Sequence, residues 1–82
     1  MMVVIKAFIC RDEDGDPEVW VFTRSPSKAF YLGVEVAERL PDVPVFFDER
    51  VPSDYLKAVE AENVNELMDK LIDALDEVEA EK

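Results

Sequence analysis

The chain has no histidine, two glycines and one cysteine among its 82 residues, and each shortage closes off a class of chemistry. Without histidine there are no Ser-His or Cys-His pairs and no imidazole metal ligands. Two glycines cannot build the phosphate-cradling loops of nucleotide-binding motifs, which need several at fixed spacing. A lone Cys10 forms no internal disulfide and fits a reducing compartment. Long apolar runs are absent too. The stretch from Met2 to Cys10 is interrupted by Lys6, falls well short of the roughly 20 residues that span a bilayer, and lacks the basic start and cleavage site of a leader. No targeting segment is visible, so the expected location is the cytoplasm.

Basic residues are scarce as well, 9 against 20 acidic, for a formal charge of −11. Residues 1 to 50 carry 6 basic and 10 acidic groups, whereas residues 51 to 82 carry 3 and 10, so the acid is concentrated towards the C-terminus. Such a field repels nucleic-acid phosphates and anionic lipid and attracts basic protein surfaces and cations. Direct nucleic-acid binding and membrane association are therefore not expected. Solubility, or life in a salty cytoplasm, is the plainest reason for the charge, because runs of charge are usually solvated faces.

What is present suffices for one small domain over residues 1 to 82, with 49% hydrophobic residues to form a core. From Val3 to Arg11 the odd positions Val3, Ile5, Ala7 and Ile9 are all apolar, the period of a strand with one buried face. Turn formers fill residues 12 to 17 before a second β-type run from Glu18 to Arg24, which makes a hairpin. With Arg11 opposite Val19, Val19, Val21 and Thr23 share the face of Ile5, Ala7 and Ile9, while Phe8, Cys10, Trp20 and Phe22 share the other.

Ser25, Pro26 and Ser27 form a helix-start signal. Lys28 to Leu40 then reads as a helix carrying Phe30, Gly33, Val34, Ala37 and Leu40 on one face, in preference to the strand that alternation of Phe30, Leu32, Val34 and Val36 would also allow. Val43 to Asp48 is a short β-type run in which Pro44 suits an edge. Tyr55 to Glu62 reads as a strand rather than a helix capped by Ser53, because a better helix start follows it. There Asn63 can cap first-turn amides and Glu66 can reach back to the Asn63 amide. From Val64 to Glu79 the residues Val64, Leu67, Met68, Leu71, Ile72, Leu75 and Val78 make an apolar stripe. The predicted order is β-β-α-β-β-α, an α+β two-layer sandwich with an antiparallel sheet of three to four strands and two helices.

Candidate chemistry is thin. Nothing marks Lys6, Lys28, Lys57 or Lys70 as a desolvated nucleophile. Asp12, Asp14 and Asp16 alternate as in a calcium loop, but the sixth and twelfth positions, which need Gly and Glu, hold Pro17 and Thr23, so a solvated turn is expected. Cys10 reads as a packed hydrophobe, since strand neighbours such as Arg11 point to the opposite face. No cofactor, metal site or catalytic residue is assigned. Two surfaces stand out as partner-binding candidates. Phe8, Trp20 and Phe22 form an aromatic second face that needs cover, either core or a protein or dimer interface. On the last helix, Glu66, Asp69, Asp73, Asp76, Glu77 and Glu79 set like charges at i, i+4, which costs a few tenths of a kcal/mol per pair, and acids in the last turn oppose the helix dipole. Stability alone does not select that arrangement.

The segment from Ile5 to Gly15, with Glu18-Val-Trp-Val, resembles the first hairpin of HicB-like and related small antitoxin-type domains. Ala58 to Leu67 is similar to their last strand and the start of their last helix. The resemblance covers under half of the chain. Residues 26 to 50 stand as an insertion and the Pro-Gly segment typical before that last strand is missing, so no site residue carries over. It implies a non-enzymatic module that binds a protein partner. Sequence alone thus points to an acidic binding or regulatory module that engages a basic protein surface or a second copy of itself. The alternatives are a nucleic-acid-mimicking inhibitor of a DNA- or RNA-binding protein, and a small enzyme using Cys10 or paired carboxylates.

Overall fold

A computed structural model describes residues 4–47 and 51–81. It contains β1 (Ile5–Arg11), β2 (Pro17–Phe22), α1 (Pro26–Arg39), β3 (Val45–Phe47), β4 (Lys57–Ala61) and α2 (Val64–Ala80), in the predicted β-β-α-β-β-α order. Val3 and Asp48, assigned to strands from sequence, lie outside the described residues. The four strands form one sheet in the order β3-β2-β1-β4. β1 is antiparallel to both β2 and β4, whereas β3 runs parallel to β2. The sheet is therefore mixed rather than antiparallel. The reason lies in the connection: a helix between β2 and β3 returns the chain to the end where β2 began, and parallel neighbours require such a crossover.

The hairpin closes two residues tighter than expected, with Ile9 opposite Val19 and Arg11 opposite Pro17. Asp12 sets this register. Its carboxylate accepts from the amides of Asp14 (2.9 Å) and Asp16 (2.8 Å), and its own amide donates to the Asp16 carbonyl. Gly15 supplies the positive φ of +85° that the turn requires. A shift of two residues preserves facing, so both side-chain sets stay on their predicted sides.

Both helices cover the face of Ile5, Ala7, Ile9, Val19 and Val21, with α2 over β4 and β1 and α1 over β3 and β2. α2 buries Leu67, Met68, Leu71, Ala74, Leu75 and Val78. Ile72 was expected in the stripe but is exposed, because it falls about 100° around the helix from the stripe's centre. In α1 the buried face differs more from expectation. Ala29, Gly33 and Val36 face the core, while Phe30 and Val34 face solvent. Small residues at Ala29 and Gly33 let the helix lie close to the sheet, and a Cβ on Gly33 would sit 2.3 Å from the Phe47 ring. The Ser25 hydroxyl makes no cap; the helix opens with the Ala29 amide donating to the Ser25 carbonyl. At α2, Asn63 Oδ1 accepts from the Glu66 amide at 2.8 Å as predicted, while the Glu66 carboxylate accepts from Glu62 rather than Asn63.

Candidate functional site

Two helices on one side leave the other side of the sheet without a layer. Alternation puts Lys6, Phe8 and Cys10 of β1, Glu18, Trp20 and Phe22 of β2, Phe46 of β3, and Ala58 and Glu60 of β4 there. Strand register lines up Phe46, Trp20 and Phe8 as a row crossing three strands and ending at Ala58. Trp20 and Phe46 stack with centroids 5.0 Å apart and planes 28° from parallel. Trp20 Nε1 donates to Glu18 Oε1 at 3.4 Å.

Part of this face is roofed by the approach to β4. The Leu56 amide donates to the Ile9 carbonyl at 2.8 Å, and the Tyr55 ring leans on Phe8 with centroids 5.0 Å apart. Phe8 is only 5% exposed as a result, and Cys10 is buried beside it. Trp20 and Phe22 remain half-buried, and Phe46 (42%) and Tyr55 (47%) are open to solvent. The expected strand from Tyr55 to Glu62 is a strand only from Lys57 to Ala61, because Tyr55 and Leu56 are spent on this roof.

The face is acidic at its margins. Burial, then the carboxylates of Glu18 and Asp54, push the Cys10 thiol above its ordinary pKa, so the sulfur is held as the neutral thiol at pH 7. That environment opposes the thiolate a nucleophile needs. At the other end Glu60 pairs with Lys6 at 3.4 Å, both well exposed.

The second candidate surface lies on the helix layer, so the structure does not bring the aromatic and acidic residues together. Within the acidic set, Glu66 belongs to the helix start. Its pKa is lowered by the Glu62 amide and then by Lys70, 3.2 Å away. Glu77 holds Lys57 at 2.6 Å, and this hydrogen bond raises the lysine pKa. Asp69, Asp73 and Asp76 are exposed and have no ion pair among the described residues.

Sequence reasoning put Phe8, Trp20 and Phe22 on one face, as the structure does, with Phe8 buried in it; it did not single out Phe46 and Tyr55, which lie on the same side. The signal for Phe46 was its place in a β-type run; its partner strand was not readable. An open groove also lies between the first turns of the helices, lined by Ile5, Tyr31, Leu32 and Val64 with Lys28 and Glu62. No group of three potential metal ligands occurs among the described residues, and no helix among them is long and apolar enough to cross a membrane. Comparison with known proteins gave no matching family model, no matching curated protein and no matching solved structure.

Proposed function

We propose that the chain is a non-enzymatic, acidic protein-binding module whose uncovered sheet face docks a basic partner. The observation that carries this reading is the accessible aromatic set of Trp20, Phe22, Phe46 and Tyr55, seated over the buried Phe8 on a face that neither helix covers. A contiguous aromatic surface rimmed by charge is the composition of a binding face, with aromatics supplying contact area and the rim supplying steering. Glu18 and Asp54 give that rim an acidic bias, with Glu60 paired to Lys6, on a chain that is already strongly acidic. A partner with an apolar centre and arginine or lysine around it complements both features, and its cations gain from the exposed aromatic faces. The partial likeness of the first hairpin and the last strand and helix to HicB-like domains points to the same class.

The test compares proteins retained from native lysate at physiological salt by the wild type and by Trp20→Thr, a variant that keeps a β-branched residue in the strand. Retention of basic proteins by the wild type and their loss from a folded Trp20→Thr supports the reading. Identical sets on both, or none on either, count against it.

A second reading is favoured by the bare carboxylates of Asp69, Asp73 and Asp76, which suit a nucleic-acid-mimicking inhibitor. Reversing their charge abolishes partner binding under this reading and leaves it intact under the first.

A further inference from the structure

The two edges of the sheet are finished differently. At β4, Lys70 Nζ donates to the Glu60 carbonyl at 2.6 Å, and Lys6–Glu60 and Lys57–Glu77 line the strand with ion pairs. Edge lysines are among the devices by which sheets refuse further strands, and a side chain bonded to an edge carbonyl occupies a group that a new strand would need. The β3 edge has neither among the described residues, and is limited only by its length of three residues after Pro44. Val19 donates to the Pro44 carbonyl at 2.9 Å, which fixes the parallel ladder so that Val45 and Phe47 turn their amides and carbonyls away from β2. The side chains beside that free edge are apolar on both faces. Phe46 lies on the open side. On the helix side lie Phe47, Phe30, whose ring meets Phe47 edge-on at 5.3 Å, and Val34, all exposed.

From these features we infer that β3 is a self-association edge, pairing antiparallel with β3 of a second copy about a two-fold axis at Phe46. Register supports this occupant. With Phe46 opposite its own copy, Val45 of each chain stands opposite Phe47 of the other, and the outward groups of both residues form two complete hydrogen-bonded pairs. The aromatic row then runs on from one copy into the next, and α1 meets its symmetry mate over the exposed Phe30 and Val34. Charge supports it as well. A second copy carries −11 and must approach where the field is weakest, and from Arg24 to Phe47 three basic residues (Arg24, Lys28, Arg39) balance three acidic ones (Glu35, Glu38, Asp42). Like-charged chains have no such neutral approach along α2.

Sedimentation equilibrium of the full chain is the test, with two variants. The wild type is expected at twice the 9.4 kDa of one chain, and Phe46→Lys at the single-chain mass with an unchanged circular dichroism spectrum. Should the lysine variant fail to fold, the two-fold geometry supplies a second readout. In a Cys10→Ser background, Phe46→Cys places two thiols opposite each other in a non-hydrogen-bonded pair, with Cα atoms about 4.5 Å apart, within disulfide range. Mild oxidation is expected to link them, and not to link Glu60→Cys on the other edge. A wild type that stays at the single-chain mass leaves the edge to a strand of some other protein and overturns the inference. So does a dimer that Phe46→Lys leaves intact, or one that forms without cross-linking through Phe46→Cys.

Discussion

Trp20 stacks on Phe46 across the parallel junction of β2 and β3, with ring centroids 5.0 Å apart. This contact ties a three-residue strand to the sheet on the face opposite the core. An aromatic pair of this kind contributes about 0.5–1.5 kcal/mol beyond the area it buries. Phe46→Ala is expected to move Trp20 emission to longer wavelength and to lower stability by roughly 1–2 kcal/mol, less than a core truncation, because Phe46 is partly exposed. Denaturant unfolding followed by tryptophan fluorescence reads both.

Gly33 is the point of closest approach between α1 and β3. Alanine there gains about 1 kcal/mol of helix propensity, yet its Cβ would lie 2.3 Å from Phe47 Cδ1 and 2.8 Å from Phe47 Cβ. The second distance means that rotating the ring does not relieve the clash. Gly33→Ala is therefore expected to cost about 1–3 kcal/mol, and the cost to shrink but persist on Phe47→Ala, which removes the ring and keeps the Cβ. A double-mutant cycle by chemical denaturation checks the sign of the coupling.

Leu71 and Ile72 are neighbours in α2 with opposite fates. Leu71 is fully buried and Ile72 is 47% exposed. Leu71→Ala is expected to cost about 2–5 kcal/mol, a large part of the stability of a domain this size, and Ile72→Ala under about 0.5 kcal/mol. Equal losses would show that the helix is rotated from the orientation described.

The α2 start gives a pH dependence. The Glu66 carboxylate accepts from the Glu62 amide and pairs with Lys70, so its folded pKa lies below its unfolded value. A depressed carboxylate pKa contributes stability above the unfolded pKa, and that contribution is lost as pH falls through the folded value. Glu66→Leu is thus expected to lower the melting temperature at neutral pH, and the gap to the wild type to close in acid below the ordinary carboxylate range. Melting curves across that window check the direction. Asn63→Ala, which removes the cap hydrogen bond itself, is expected to cost about 1 kcal/mol, with no pH dependence of its own since an Asn side chain does not titrate.

Much of this architecture was legible because it rests on local periodicity. Facing in the hairpin depends on odd and even positions, which a two-residue error in register leaves unchanged. Asn63 marks the start of α2 through its own side chain, and strand fitted Lys57–Ala61 better than helix for the same reason: a stronger helix start lay just beyond. The illegible parts are tertiary. A three-residue β3 carries no sign that it pairs with β2 or in which direction. The face α1 buries is set by how close Ala29 and Gly33 let it come, not by its largest apolar residues. Tyr55 alternates like a strand residue, and only the position of Phe8 shows that it serves as a roof. The aromatic candidates were therefore half found, and Phe46 and Tyr55 enter only with the sheet assembled.

Cys10 reports on that roof. The buried thiol, with Glu18 and Asp54 beside it, stays protonated at pH 7. It is expected to react slowly with a maleimide at neutral pH in the wild type, and faster in Tyr55→Ala, which uncovers Phe8 and its surroundings. Mass spectrometry of the labelled chain follows the rate.

Site-specific photocrosslinking bears most directly on the claim that the uncovered sheet face is the binding surface. A benzophenone amino acid replaces Phe22 in one variant and Ile72 in another, on the sheet face and on the outside of α2 respectively. Irradiation in native lysate is expected to capture basic proteins from position 22 and none from position 72. Capture from position 72 alone would contradict the account and assign binding to the acidic helix.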